Sequence, residues 1–481
     1  MERSENKLRQ PVALPICFLT ELWERYGFYL LQGLLLLYMT SYLRLDEGAS
    51  YELTGTFIGL VYTASVIGGM VADRFVGHFR GIIIGELLLC FGFFILGISI
   101  GSGEALLFWA LACIAIGTGL IKANISTYLG YFYIRKDPRR DLGFTIFYIG
   151  INVGAIIGVF FAGFGQHHFG WSVPFYTAAG GSLIGLLTIV GGVYLKKLDF
   201  EKKHRDVKVI HYLASFLVVL ASVVACYFIF YYTYLSDILF ITICVASVMI
   251  LISHMIKYSE MRAQIFAYLL LLLISVVFWS MYFQLYISMT LLVANIVNHH
   301  IFGIFFPTPT FLIFANLGVV LFGGFMGKLW FQRAKAGHPV HDGTKFLTGL
   351  ILMCCAFVIL ALGVTLSNAT VLMSGYIIVA VCLVVSLGDL SLSPIGLSIA
   401  HKLSPDGCKG LYMGMWLISL GVGGKLAGTL SGLMVLPSHK VSLAEMYSVY
   451  GHGLWVCIAI MLFAIALAVV INPLLKRLIP Y

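Results

Sequence analysis

The chain has 481 residues, of which 60% are hydrophobic and 11% charged, and a formal net charge of +9. Soluble domains carry about a quarter charged residues, so this chain lacks the polar side chains to coat a water-facing surface of its size. A soluble enzyme, a disordered scaffold and a nucleic-acid binder are excluded, which leaves a polytopic membrane protein; the 51 glycines suit close helix packing in lipid.

A spanning helix needs about 20 apolar residues. Reading outward from the charge clusters predicts spans at 12–42, 53–76, 81–102, 105–130, 142–166, 173–195, 210–234 and 238–257. Six more follow at 263–295, 303–331, 346–367, 371–401, 409–437 and 446–475. The fourteen runs are long and continuous, without the ~10-residue alternation of barrel strands. The first is too long for a signal peptide and carries charge, so it is read as retained. Of 30 Lys and Arg, Arg25, Lys122 and Lys425 fall inside spans, and Arg44 and Lys440 fall in outer loops if both termini are cytoplasmic. The other 25 then lie on the cytoplasmic side, as the positive-inside rule requires. The net charge therefore reflects membrane topology rather than a nucleic-acid surface. The ten cysteines form no CxxC and no Cys/His cluster; they read as buried, inert thiols, and no metal site is expected.

The longest polar connector, LKKLDFEKKHRDVK (195–208), separates two halves. GGMVADRFVGHFR (68–80) and GGFMGKLWFQR (323–333) echo each other at cytoplasmic helix ends. If spans seven and eight are an insertion, each motif closes the second helix of a six-helix half, a parallel-repeat transporter plan. The expected organisation is a six-helix bundle over 12–195, a cytoplasmic linker over 196–209, two inserted helices over 210–257 and a second bundle over 258–476.

Ionisable groups in lipid are costly and mark function by default. Glu21, Glu24 and Arg25 stand at i, i+3 and i+4 and share one helix face with Phe28, Tyr29 and Gln32. They either line a cavity or form an interhelical lock. Lys122 lies in GTGLIKANIS (117–126), with Thr118 and Ser126 one turn away. It can pair with Glu21 or Glu24, or join Arg25 in holding an anion. Loss of a cation to substrate leaves a carboxylate in low dielectric, which links proton uptake to anion binding. Asn152 shares a face with Tyr148 and bonds a neighbouring helix or lines the cavity. Ser280, Gln284 and Ser288 stand at i, i+4 and i+8 with Trp279 beside them. Ser386, Asp389 and Ser393 share another face; Asp389 either meets a cationic substrate end or pairs with Lys425. Glu86 reads as a packing or loop partner.

ELWERYGFY (21–29) closely resembles the ExxERFxYY signature of the proton-dependent oligopeptide transporter family. GGMVADRFVGHFR resembles that family's loop between the second and third helices. GTGLIKANISTYLGYFY (117–133) resembles its GxGxxKPNxSxxxGxxY motif, and FYIGINVGA (147–155) its FYxxINxGA signature. FWSMYFQ (278–284), SLGDLSLSPIGLSIA (386–400) and GLYMGMWLISLG (410–421) resemble its seventh, tenth and eleventh core helices. The chain departs from these patterns at Phe28, Ala123, Phe283 and Thr308, at Asp389 in place of glutamate, and at Lys425.

The resemblance implies an all-α polytopic protein of the major facilitator fold, two six-helix bundles plus two inserted helices. It implies a proton-coupled symporter that imports di- and tripeptides, with protons as coupling ion, no cofactor and no enzymatic activity. Glu21 and Glu24 would take part in proton binding, and Arg25 and Lys122 would hold the peptide carboxylate. Tyr29, Tyr62, Asn152 and Gln284 would line the site, Trp279 and Trp416 would wall the side-chain pockets, and Asp389 would receive the ammonium. Asp73, Arg74 and Arg80 would belong to a gating loop. The expected setting is the bacterial inner membrane, with a single chain as the working unit. A same-family carrier of another zwitterion or anion, and a non-transporting membrane receptor, are the rival readings.

Overall fold

The computed structural model describes residues 10–100, 104–133, 137, 139–195, 207–338, 340–367, 370–437 and 441–479. Most of the basic connector 196–209 lies outside the described residues, as does Lys440.

Apolar runs that cannot leave a backbone donor unpaired in lipid become helices. In chain order these are α1 (Ala13–Leu37), α2 (Glu47–Val71), α3 (His78–Ile98), α4 (Glu104–Gly130), α5 (Arg140–Phe169), α6 (Ser172–Tyr194), α7 (Val209–Tyr231) and α8 (Thr233–Lys257). There follow α9 (Arg262–Tyr282), the short α10 (Ser288–Ile296), α11 (Ile313–Lys335), α12 (Asp342–Leu366), α13 (Gly375–Lys402), α14 (Lys409–Ser431) and α15 (Leu443–Leu478). Among the described residues, thirteen spans are long and apolar enough to cross a membrane. The fourteenth long helix is α1, which carries Glu21, Glu24 and Arg25 together.

Four spans differ from expectation for physical reasons. The second and eighth spans, expected from 53 and 238, begin at Glu47 and Thr233; hydropathy stops at Glu52 and Asp237, but the helices run through them. The ninth span is not continuous: α9 ends at Tyr282, and a tight turn over Phe283–Tyr286 precedes α10. The tenth span starts late, because IFGIFF forms an antiparallel hairpin, β1 (His300–Ile301) with β2 (Ile304–Phe305). Gly303 turns that hairpin at φ +76°, and Pro307 then delays the helix.

By contacts the chain forms two compact units. The first comprises the chain up to Leu34 and Leu60–Tyr231; the second comprises Leu35–Gly59 and the chain from Tyr232 onward. In the first, α3 packs on α4 and α6, α4 on α7, and α5 on α6. A Cβ at Gly158 of α5 would lie 2.5 Å from the Tyr26 carbonyl, and one at Gly154 would strike the Leu22 carbonyl. Only glycine lets α5 press against the charged stretch of α1. In the second unit, α12 packs on α13 and α15, α9 on α8 and α14, and α11 on α13. The inserted helices are the least embedded. Only 28% of the most apolar stretch of α7 and 17% of that of α8 is buried, against 78% for α4, so most of their surface is left to lipid.

Candidate functional site

The site in the first unit is organised by α1. Glu21, Glu24 and Arg25 are all buried, with 4%, 0% and 4% exposure. The i, i+4 spacing brings Arg25 Nε to 3.3 Å from Glu21 Oε1. Arg25 Nη2 donates to Glu24 Oε1 at 2.6 Å, and Nε donates to Glu24 Oε2. The guanidinium fork matches the Glu24 carboxylate bidentately, the strong geometry for such a pair. Glu21 is held by one oxygen only; its Oε2 is buried with no hydrogen-bond partner. Phe28, where the signature has tyrosine, places its ring 4.9 Å from the Arg25 guanidinium carbon and meets Tyr29 edge-on at 5.3 Å. The signature's first hydroxyl is lost while cation–π support remains.

Lys122 of α4 makes no ion pair with Glu21 or Glu24 among the described residues. Its Nζ sits 3.7 Å from the centre of the Tyr62 ring. The structure therefore joins Lys122 to Tyr62 and Arg25 to both glutamates. No carboxylate is paired with Lys122 among the described residues, whereas Arg25 is engaged by two. Asn152 of α5 is buried, and its Nδ2 donates to the Tyr148 carbonyl of its own helix at 3.0 Å. Of the two readings of Asn152, a bond to a neighbouring helix is not formed among the described residues. Both Glu86 carboxylate oxygens are buried without a hydrogen-bond partner, against Gly185 of α6.

A residue that sequence reasoning passed over ties α4 to the segment 68–80. Asn124 Nδ2 donates to the carbonyls of Leu120, at 2.7 Å, and Gly68, at 3.1 Å. Its Oδ1 then accepts from His78 Nδ1 at 2.7 Å. His78 Nε2 faces Asp73 Oδ1 at 3.5 Å. Arg80 Nη1 donates to the Val76 carbonyl at 3.2 Å, and Arg74 is exposed. The available signal was Asn124, a buried amide two residues after Lys122.

In the second unit, Trp279 is buried with its Nε1 unpartnered, and Asp389 has a buried Oδ1 without a partner; Ser393 hydrogen-bonds the Asp389 carboxyl. Trp416 packs on Phe346 at 5.9 Å and fills the space over Gly396, where no Cβ would fit. Gln284 stands in the turn between α9 and α10 rather than on a continuous helix face. Its Oε1 accepts from Ser288 at 2.5 Å and Ser431 at 2.8 Å, and its Nε2 donates to the Ala427 carbonyl at 3.0 Å. One amide hydrogen remains, so Gln284 is foremost a tie between the broken helix and α14. The alternative Asp389–Lys425 pair is not formed. Lys425 instead contacts Glu52 Oε1 and, at 3.0 Å, Asp237 Oδ1.

The first unit offers buried carboxylates beside a permanent cation and a separate lysine on an aromatic face; the second offers a carboxyl, that of Asp389, with one buried unpartnered oxygen. A sequence model described as POT family matches residues 79–449. Dipeptide and tripeptide permease B of Photorhabdus asymbiotica is 30% identical over 477 residues, covering 98% of this chain and 97% of the permease. A crystal structure of a peptide transporter in complex with sulfate superposes with TM-score 0.82 at 25% identity, covering 98% and 96% of the two chains. A tetrameric crystal form of another, PepTSo2, superposes with TM-score 0.85 at 23% identity, covering 97% and 99%.

Proposed function

The chain is a member of the POT family, and on that premise we propose that it is a proton-coupled symporter importing di- and tripeptides by alternating access. The observation that carries this reading is the buried Glu21–Glu24–Arg25 cluster, with Lys122 held apart from it on Tyr62. Lys122 receives the substrate carboxylate. Its charge then draws Arg25 away from the glutamates, and Glu21, already held by one oxygen, takes the proton first. An anion and a proton thus enter together because each offsets the charge left by the other. Asp389 receives the substrate ammonium. Since Lys425 is engaged elsewhere, nothing among the described residues neutralises Asp389, which favours a free amine over an N-blocked ligand. Tyr29, Tyr62 and Asn152 line the site, and Trp279 and Trp416 wall it. Gln284 acts through the position of Trp279. Asp73, Arg74 and Arg80 hold the cytoplasmic gate, with His78 and Asn124 linking it to the Lys122 helix.

The coupling ion is the proton and no cofactor takes part. An inward proton gains about 2.3 kcal/mol per 100 mV of inside-negative potential, enough for tens-fold accumulation because about 1.4 kcal/mol is a factor of ten. The distribution of Lys and Arg supports a bacterial inner-membrane setting with cytoplasmic termini. The two bundles are 12–195 and 258–476, with the inserted pair over 210–257. A single chain is the proposed working unit. The test is uptake of labelled dialanine into proteoliposomes under an inward proton gradient and inside-negative potential. Accumulation that collapses with a protonophore is expected; no uptake by folded protein would overturn the reading.

A further inference from the structure

Lys425 of α14 is buried, 5% exposed, and no substrate role is assigned to it. Its ammonium is shared by two carboxylates from two other helices. One is Glu52 of α2; the other is Asp237 of the inserted helix α8, at 3.0 Å. Thr429 Oγ1, one turn on from Lys425, is 3.3 Å from Glu52 Oε2. The three helices meet closely: a Cβ at Gly55 would lie 2.7 Å from the Gly428 Cα, and a Cβ at Gly59 would strike the Phe240 ring. Phe240, 4% exposed, stands three residues after Asp237. α8 is thus pinned here by one ring and one charge, although most of its surface is open.

The two carboxylates are unequal. The Glu52 side chain is 25% exposed and that of Asp237 is 57% exposed. Asp237 remains hydrated whether or not it holds the lysine, whereas a buried Lys425 with no partner is an uncompensated charge in low dielectric. α2 is also the helix divided between the two compact units, Glu47–Gly59 falling in one and Leu60–Val71 in the other. Glu52 thus lies in the same unit as Asp237 and Lys425, and the division of α2 falls after it, between Gly59 and Leu60.

We propose that Asp237 of the inserted hairpin is a positioning residue of the transport cycle, a standby partner that keeps Lys425 neutralised when Glu52 of α2 lets go. The inserted helices then take part in the cycle and are not only lipid-facing filler. The movement of α2 rests on the alternating-access reading above; the charge sharing does not. Removing Asp237 makes Lys425 depend on Glu52 alone, so that pair breaks more slowly. Asp237→Asn lowers kcat for proton-driven dialanine uptake by about tenfold, with KM within about twofold, and Asp237→Glu restores it. In a melting cycle on purified protein, Glu52→Gln and Asp237→Asn each leave Lys425 one partner and cost little. The double variant leaves none, and its melting temperature falls by more than the sum of the singles. Wild-type kcat in Asp237→Asn, no rescue by Asp237→Glu, or an additive melting cycle would each overturn the proposal. If wild-type protein takes up no dialanine, the transport reading fails and the melting cycle alone decides whether the three charges are shared.

Discussion

The two charge clusters of this protein have the same formula, one cation and two carboxylates, and opposite construction. Around Arg25 both carboxylates come from the same helix, one and four residues earlier, and all three groups are buried. Around Lys425 they come from two other helices, 373 and 188 residues away, and both are partly open to solvent. The first cluster exists wherever α1 is helical, so it stores charge without depending on tertiary arrangement. The second exists only while α2, α8 and α14 stay together, so it reports that arrangement. A group that must hold protons is best built the first way, and one that must register a conformational step the second.

Several substitutions break or sharpen this contrast. Arg25→Ala leaves two buried carboxylates facing each other without a cation; stability in detergent melting is expected to fall by about 3–5 kcal/mol, with driven uptake lost. Lys122→Ala should fold, since Lys122 bonds no carboxylate among the described residues, yet lose proton-driven uptake. Near wild-type uptake in vesicles would end the carboxylate-clamp idea. Gly154→Val forces α5 off the Leu22 carbonyl and should cost about 1–3 kcal/mol by overpacking, read as a lowered melting temperature. Lys425→Ala frees two solvent-accessible carboxylates and should cost less than about 1 kcal/mol; a loss as large as that of Arg25→Ala would erase the distinction between the clusters. Gly324→Ala, with open space around its Cβ position, should stay within about 0.5 kcal/mol and serves as the baseline.

What could be read from the sequence follows the same division. The fourteen spans and the Arg25 cluster rest on local periods, apolar runs of membrane length and an i, i+4 spacing. Lys122 and Asn152 were visible as polar groups inside apolar helices. The partners of Lys425 were not, because a sequence pairs nothing across hundreds of residues. Glu52 and Asp237 also sit one residue outside the apolar runs that begin at 53 and 238, so they looked like loop charges. The break after Tyr282 was hidden for the opposite reason. Phe283, Leu285 and Ile287 keep the run apolar, and the turn is held by tertiary bonds of Gln284 to Ala427 and Ser431. Membership of one hydropathic run therefore said nothing about whether Gln284 continued a helix face.

The central claim is that the one-helix cluster couples protons to substrate, with Glu21 the first to take the proton. Glu21→Gln keeps the shape of that side chain and removes its titration. Labelled dialanine movement should be followed in the same vesicles two ways, as accumulation driven by a proton gradient and as exchange against internal dialanine with no gradient. Coupling through Glu21 predicts that driven accumulation is lost while exchange stays within about threefold of wild type. Driven accumulation retained by Glu21→Gln, or both modes lost together in folded protein, would contradict it.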